Sequence, residues 1–134
     1  MKQYFAFIIR SLLILSCGKK DELTRTFNGS LDFFSTNSPT TAITGQNIIS
    51  NIRCGVYSVS GDIVFQGFTI TETSPKQYYI SARALYKDWN TQVTMPVIWT
   101  IDTTTIIKAT SPGTYLLNFY NSAKLFKSDT VHVN

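Results

Sequence analysis

Histidine occurs once in this chain, at position 132, and cysteine twice, at 17 and 54. A zinc site draws three or four ligands largely from these two residue types, so too few are present for one. A histidine-based triad has a single route, through His132. Ser128, Asp129 and Thr130 lie on the same segment, and in an extended segment alternation sends Asp129 to the face opposite His132. The seven glycines form no phosphate-binding loop. Charge is sparse, at 15% of residues. Basic residues stand singly except for Lys19-Lys20, and no basic stripe is interleaved with aromatics, so nucleic acid is not an expected partner. No apolar run approaches the ~20 residues of a membrane-spanning helix; Tyr4 to Leu15 is too short and is interrupted by Arg10. Glycoside hydrolysis needs two carboxylates across a cleft, whereas Asp62, Glu72, Asp88 and Asp102 all fall in predicted turns. Asp88-Trp89-Asn90 is too short a pattern for a calcium site. No enzyme activity, metal or cofactor is expected.

Strand-forming residues are abundant. Ser, Thr and aromatics outweigh strong helix formers, and apolar residues alternate over short runs between turn signals. Ile48, Ser50, Ile52, Cys54 and Val56 share one face of a predicted strand, with Asn47, Ile49, Asn51 and Arg53 on the other. Ser60-Gly61-Asp62 reads as a hairpin turn into a return strand from Ile63 to Thr71. Thr73 to Lys76 is a loop, and Gln77 to Tyr86 a strand with Tyr78, Ile80, Ala82, Ala84 and Tyr86 on one side. Lys87 to Asn90 reads as a loop, and Gln92 to Ile101 as a strand whose Pro96 marks an edge or a bulge. Trp99 faces the core in this reading. Asp102 to Thr104 reads as a turn, Thr105 to Ala109 as a short strand. Tyr115, Leu117 and Phe119 line one face of the next strand, and a last strand runs on from Leu125 with its inward face undecided. With an early strand at Ser30 to Phe34, about eight strands are expected in an all-β antiparallel sandwich or barrel of one domain. Cys54 is expected to be a buried, inert thiol.

Lys2 followed by the apolar run and then Ile14-Leu15-Ser16-Cys17 resembles a lipoprotein signal peptide ending in a lipobox. Arg10 within the run and the bulky Leu15 depart from that pattern. The resemblance implies a signal peptide at 1–16 and diacylglycerol on Cys17, a stable membrane anchor with two or three acyl chains. Cys17 is then committed to lipid, and no internal disulfide is expected. Without Lys2 and Arg10, ten basic residues remain against eight acidic ones. Residues 17–26 would be the lipidated cysteine and a polar tether, and 27–134 the folded domain. Lys20-Asp21-Glu22 resembles the export signal of surface lipoproteins in Bacteroidota-type bacteria, and reads equally as a solvated linker. The expected location is the outer membrane, with its periplasmic and surface faces both open.

Ile106, then ATSPGTY at 109–115, then Leu117 resemble strand E, its turn and strand F of an immunoglobulin-like domain. Gly113-Thr114-Tyr115 stands where such domains carry Gly-x-Tyr, and Leu117 takes the place of the strand-F cysteine. The resemblance implies an antiparallel immunoglobulin-like β-sandwich of about 7–8 strands. It conflicts with the Gly61-Asp62 hairpin, because the corresponding connection in such domains crosses between sheets.

Trp89 lies among Lys87, Asp88 and Asn90, so the stretch Tyr86 to Asn90 is the candidate ligand-binding loop, with Tyr86, Trp89 and Asn90 its residues. Aromatics of this kind serve as stacking platforms for sugars or anchors for proteins. The expected function is a non-catalytic binding or accessory module at the cell envelope, presenting that loop to a protein or glycan. The alternative is an inhibitor or immunity-type lipoprotein that blocks a toxin or hydrolase.

Overall fold

The computed structural model describes residues 23–58, 62–89 and 97–134. Every regular element among them is a strand: β1 (Leu23–Asn37), β2 (Thr41–Ala42), β3 (Asn47–Ser58), β4 (Asp62–Ser74), β5 (Gln77–Trp89), β6 (Val97–Lys108), β7 (Gly113–Asn121) and β8 (Lys124–Val133). Among the described residues no helix is long and apolar enough to cross a membrane.

The strands bond in the order β2-β8-β7-β5-β1-β3-β6, with β4 also on β5. β4 follows β5 from Ser74↔Gln77 to Asp62↔Lys87 and fills one of its edges. The other edge is divided: β7 takes Gln77 to Ile80, and β1 takes Ala82 to Trp89. β1 changes partner halfway. Leu23 to Leu31 pair with β5, whereas Asp32 to Asn37 pair with β3. The sheet therefore curls, and β3 and β6 come round to share one apolar core with β5, β7 and β8. Leu31, Phe33, Ile52, Cys54, Ile80, Tyr115, Leu117, Phe119 and Val131 form its centre. Phe33 meets Phe119 edge-on at 5.3 Å and stacks at 6.2 Å on Phe68 of β4.

The all-β expectation holds, but the sheet is mixed rather than antiparallel. β5 and β7 run parallel, as do β2 and β8. Parallel neighbours need a crossover between them. β6 supplies it for the first pair, leaving β5 to pair with β3 before the chain returns as β7. The hairpin expected at Ser60 to Asp62 is also replaced. Residues 59–61 lie outside the described set, but β3 and β4 are not partners: β1 and β6 occupy β3, and β5 holds β4. Asp102 to Thr104 are not a turn. They lie mid-strand in a continuous β6, opposite Arg53, Ile52 and Asn51. Lys87 to Trp89 are not a loop either, for they extend β5. Their partners are Leu23, Arg25 and Thr26, residues expected in the tether. These segments pair with each other, so neither is evident without the other. Pro96 lies outside the described residues; β6, which follows it, does end the strand order.

Alternation places the core faces where the sequence reading put them on β3, β5 and β7. Ile48, Ser50, Ile52 and Cys54 are buried, as are Ile80, Ala82 and Ala84, and Tyr115, Leu117 and Phe119. Val131 and Val133 settle the inward face of β8. Trp99 packs half-buried against the core. Gly55 is required by close approach: a Cβ there would stand 2.0 Å from the Trp99 carbonyl oxygen.

Polar side chains close the places where the sheet changes partner. Where β1 leaves β5, Asn121 Oδ1 accepts from the Phe33 amide at 2.7 Å, and its Nδ2 donates to the Phe33 carbonyl at 3.3 Å. These bonds satisfy backbone groups that the switching strand leaves unpaired. Beyond them, Asp129 accepts from Ser38 at 2.7 Å and Thr36 at 3.2 Å and pairs with Lys127 at 2.8 Å. Tyr115 fixes the turn before β7. Its hydroxyl donates to the Ser111 carbonyl at 3.1 Å and accepts from the Thr110 amide at 3.0 Å.

Candidate functional site

The residues singled out in the sequence do not form one exposed loop. Tyr86 is half-buried in β5, where its ring stacks on Phe27 at 5.0 Å and its hydroxyl donates to the Ser30 carbonyl at 2.7 Å. Burial, with a smaller contribution from Asp32, raises its pKa. Both its face and its hydroxyl are engaged in holding β1. Trp89 ends β5 opposite Leu23, and its side chain lies outside the described set. Asn90 and the lipidation candidate Cys17 lie outside the described residues altogether. Asp88 is tied to Arg25 at 2.8 Å, and Arg25 also lies over the Phe27 ring at 4.7 Å.

A different site emerges on the outward face of β1, β3 and β6. On β3 the buried even-numbered residues leave Ile49, Asn51, Arg53 and Tyr57 outside. On β1 the same result depends on a bulge. Phe33 pairs with Cys54 and Ser35 with Arg53, so Phe34 is one extra residue. Such an insertion reverses the in–out alternation beyond it. Leu31 and Phe33 point inward before the bulge, Thr36 after it, and Ser35 and Asn37 turn to solvent.

The register then sets two polar rows across three strands: Asn37, Asn51 and Thr104 in one, Ser35, Arg53 and Asp102 in the other. Together they line an open groove of about 450 Å³. Arg53 and Asp102 join through both ends of the guanidinium, Nε to Oδ1 at 3.0 Å and Nη2 to Oδ2 at 3.1 Å. This fork-to-fork geometry cancels their charges and fixes their planes. At 54% and 71% exposure the pair adds little stability, on the order of 0.2–1 kcal/mol. The side chains of Ser35, Asn37, Asn51 and Thr104 bond to none of the described residues. Beyond one end of the groove Tyr57 stands 70% exposed, with the Phe34 ring 6.0 Å away at 59°. Ile98 is beside Tyr57, while Ile49 and Ile106 flank the opposite end.

Two of the six polar residues of this site were visible in the sequence, the outward Asn51 and Arg53. The rest was hidden because Asp102 to Thr104 read as a turn and because no local signal marks the bulge at Phe34.

The remaining reactive residues are dispersed. His132 Nδ1 bonds the Thr114 hydroxyl at 3.3 Å, Ser128 donates to Asn118 at 2.6 Å, and Asp129 belongs to the Thr36–Ser38–Lys127 cluster. Glu72 accepts from the Lys76 amide at 2.8 Å in the β4–β5 turn. Cys54 is a free thiol with no exposed surface, and burial, aided by the nearby Asp102 charge, pushes its pKa up to about 11. No group of three or more His, Cys, Asp or Glu able to hold a metal occurs among the described residues. No family model, curated protein or solved structure matches this chain.

Proposed function

We propose that this protein is a lipid-anchored binding module of the cell envelope, without catalytic activity, that engages its partner through the outer face of β1, β3 and β6. The observation that carries this reading is the groove itself. Four uncommitted polar side chains and a rigid Arg–Asp fork converge there, beside a largely exposed tyrosine. Convergent polar groups beside an exposed aromatic suit recognition. Among the described residues, by contrast, the carboxylates and His132 are distributed among separate contacts, with no nucleophile, base and orienting group assembled.

The domain is read as an immunoglobulin-like sandwich whose two layers are bridged by β1. The hydroxyl of Tyr115 returning to the Ser111 backbone supports this, because a tyrosine corner at that position is a mark of the fold. The separation of β3 from β4 supports it too. Upstream, Lys2, the apolar run and Ile14-Leu15-Ser16-Cys17 support secretion and lipidation at Cys17, with the outer membrane as destination.

The decisive experiment is an intact mass of the chain purified from native membranes, with and without a signal-peptidase II inhibitor. The expected mass is that of residues 17–134 carrying diacylglycerol and an N-acyl chain, and the inhibitor should abolish it. A chain still carrying residues 1–16 without inhibitor, or lacking lipid, would overturn the envelope assignment.

A further inference from the structure

The groove is polar at its centre and apolar at both ends. Asn51, Arg53, Asp102 and Thr104 occupy the middle, whereas Tyr57 with Ile98 and Ile49 with Ile106 lie outside them. Protein interfaces have the inverse anatomy, an apolar desolvated centre and a polar rim. We propose that this groove binds a neutral glycan, a specificity that rests on the binding-module reading above.

Three features select that ligand class. First, the uncommitted groups are amides and hydroxyls, which both donate and accept, as sugar hydroxyls do. Second, the groove has no net charge, since Arg53 and Asp102 neutralise one another through two bonds. An anionic ligand would find no free cation among the groove's residues. Third, Tyr57 presents an exposed ring, an amphipathic platform for the apolar face of a pyranose. From Asn51 to Tyr57 the strand advances on the order of 20 Å, the scale of a short oligosaccharide rather than a monosaccharide. Ligand pockets span roughly 300–1,000 Å³, and at about 450 Å³ this groove lies within that range while staying open to a chain that runs through it.

The test is affinity electrophoresis of the full chain in native gels. Each gel contains one neutral polysaccharide: an α-glucan, a β-1,3-glucan, a mannan or a xylan. At least one should retard the protein. Asn51→Ala and Tyr57→Ala should each weaken retardation about tenfold, the value of one or two lost hydrogen bonds or a lost stacking contact. Lys124→Ala, at the exposed start of β8, should leave it unchanged. Asn51, Tyr57 and Lys124 are exposed, and unchanged thermal midpoints verify that each variant's fold is intact. Failure of all four polysaccharides to retard the protein overturns the glycan assignment. Retardation insensitive to Asn51→Ala and Tyr57→Ala overturns the groove. Retardation lost only with Trp89→Ala overturns the groove as well, yet keeps the binding-module reading. A photocrosslinker at position 57 that captures an envelope protein, with no polysaccharide bound, likewise overturns the ligand class alone.

Discussion

Cys54 lies on the inward face of β3 between Ile52 and Val56, and alternation alone was enough to place it there. Its thiol has no exposed surface and its pKa is raised from 9.0 to about 11, chiefly by burial and secondarily by Asp102. A thiolate is the reactive form, so the folded protein should resist maleimide at pH 8 while the unfolded chain reacts. The same shift has a consequence for stability. Between pH 9 and 11 the unfolded thiol releases its proton while the folded one keeps it. The unfolded state then binds fewer protons, and stability falls as pH rises. The contribution is fully present below pH 9 and is lost through about pH 11, on the order of 2 kcal/mol. Urea unfolding at pH 8, 9, 10 and 11 measures this slope, and Cys54→Ala should flatten it. An equal slope in that variant would assign the loss to other groups.

At the scale of elements, the single extra residue in β1 determines both a core face and a surface face. Leu31 and Phe33 face inward before Phe34, and Thr36 does so after it. Removing Phe34 would restore strict alternation. Phe33 would then be followed directly by Ser35, so every side chain would keep its face and its partner on β3, and only the bend made by the extra residue would be lost. Deletion of Phe34 should therefore leave a folded protein, at a cost of about 1–3 kcal/mol for the lost ring and the straightened strand. Phe34→Ala keeps the residue count and trims only a half-buried ring, so it should cost about 1–2 kcal/mol. Thermal denaturation of the pair separates the bend from side-chain loss; similar midpoints are expected, and loss of the folded state on deletion alone would show that β1 needs the bend itself to change partner.

This bulge also shows where sequence legibility stops. Period-2 patterns on β3, β5 and β7 give their core faces directly, because burial on one side imposes alternation. Asp102-Thr103-Thr104 misleads because aspartate favours turns when its carboxylate has no partner; here Arg53, nearly fifty positions upstream, provides one across the strands. Lys87 to Trp89 mislead for the same reason, since the residues that complete their ladder are near the other end of the sequence. Pairings of this kind are properties of the folded chain. So is the groove, whose rows join three segments that are distant in sequence.

For the whole molecule, β5 is where these distant segments meet. It is the one described strand with three partners: β4 along one edge, β7 and β1 in succession along the other. Ile80, Ala82 and Ala84 at its middle are buried. Opening this strand requires both halves of the curled sheet to separate, so its central amides exchange only on global unfolding. The outer end of its pairing with β1 is different. Leu23 to Phe27 rest on a bulged ladder, an exposed ion pair and the Phe27–Tyr86 stack. That end can detach without disturbing Leu31 or Phe33. Native-state hydrogen exchange should therefore give two levels. Amides of Ile80 to Ala84 should reach the full unfolding free energy, and those of Arg25 to Phe27 should exchange at least 2 kcal/mol more readily. Uniform protection along β1 would refute the division. Two levels would mean that a pull on the proposed anchor at Cys17 first peels away the start of β1, while the bulge, the groove and the core stay intact.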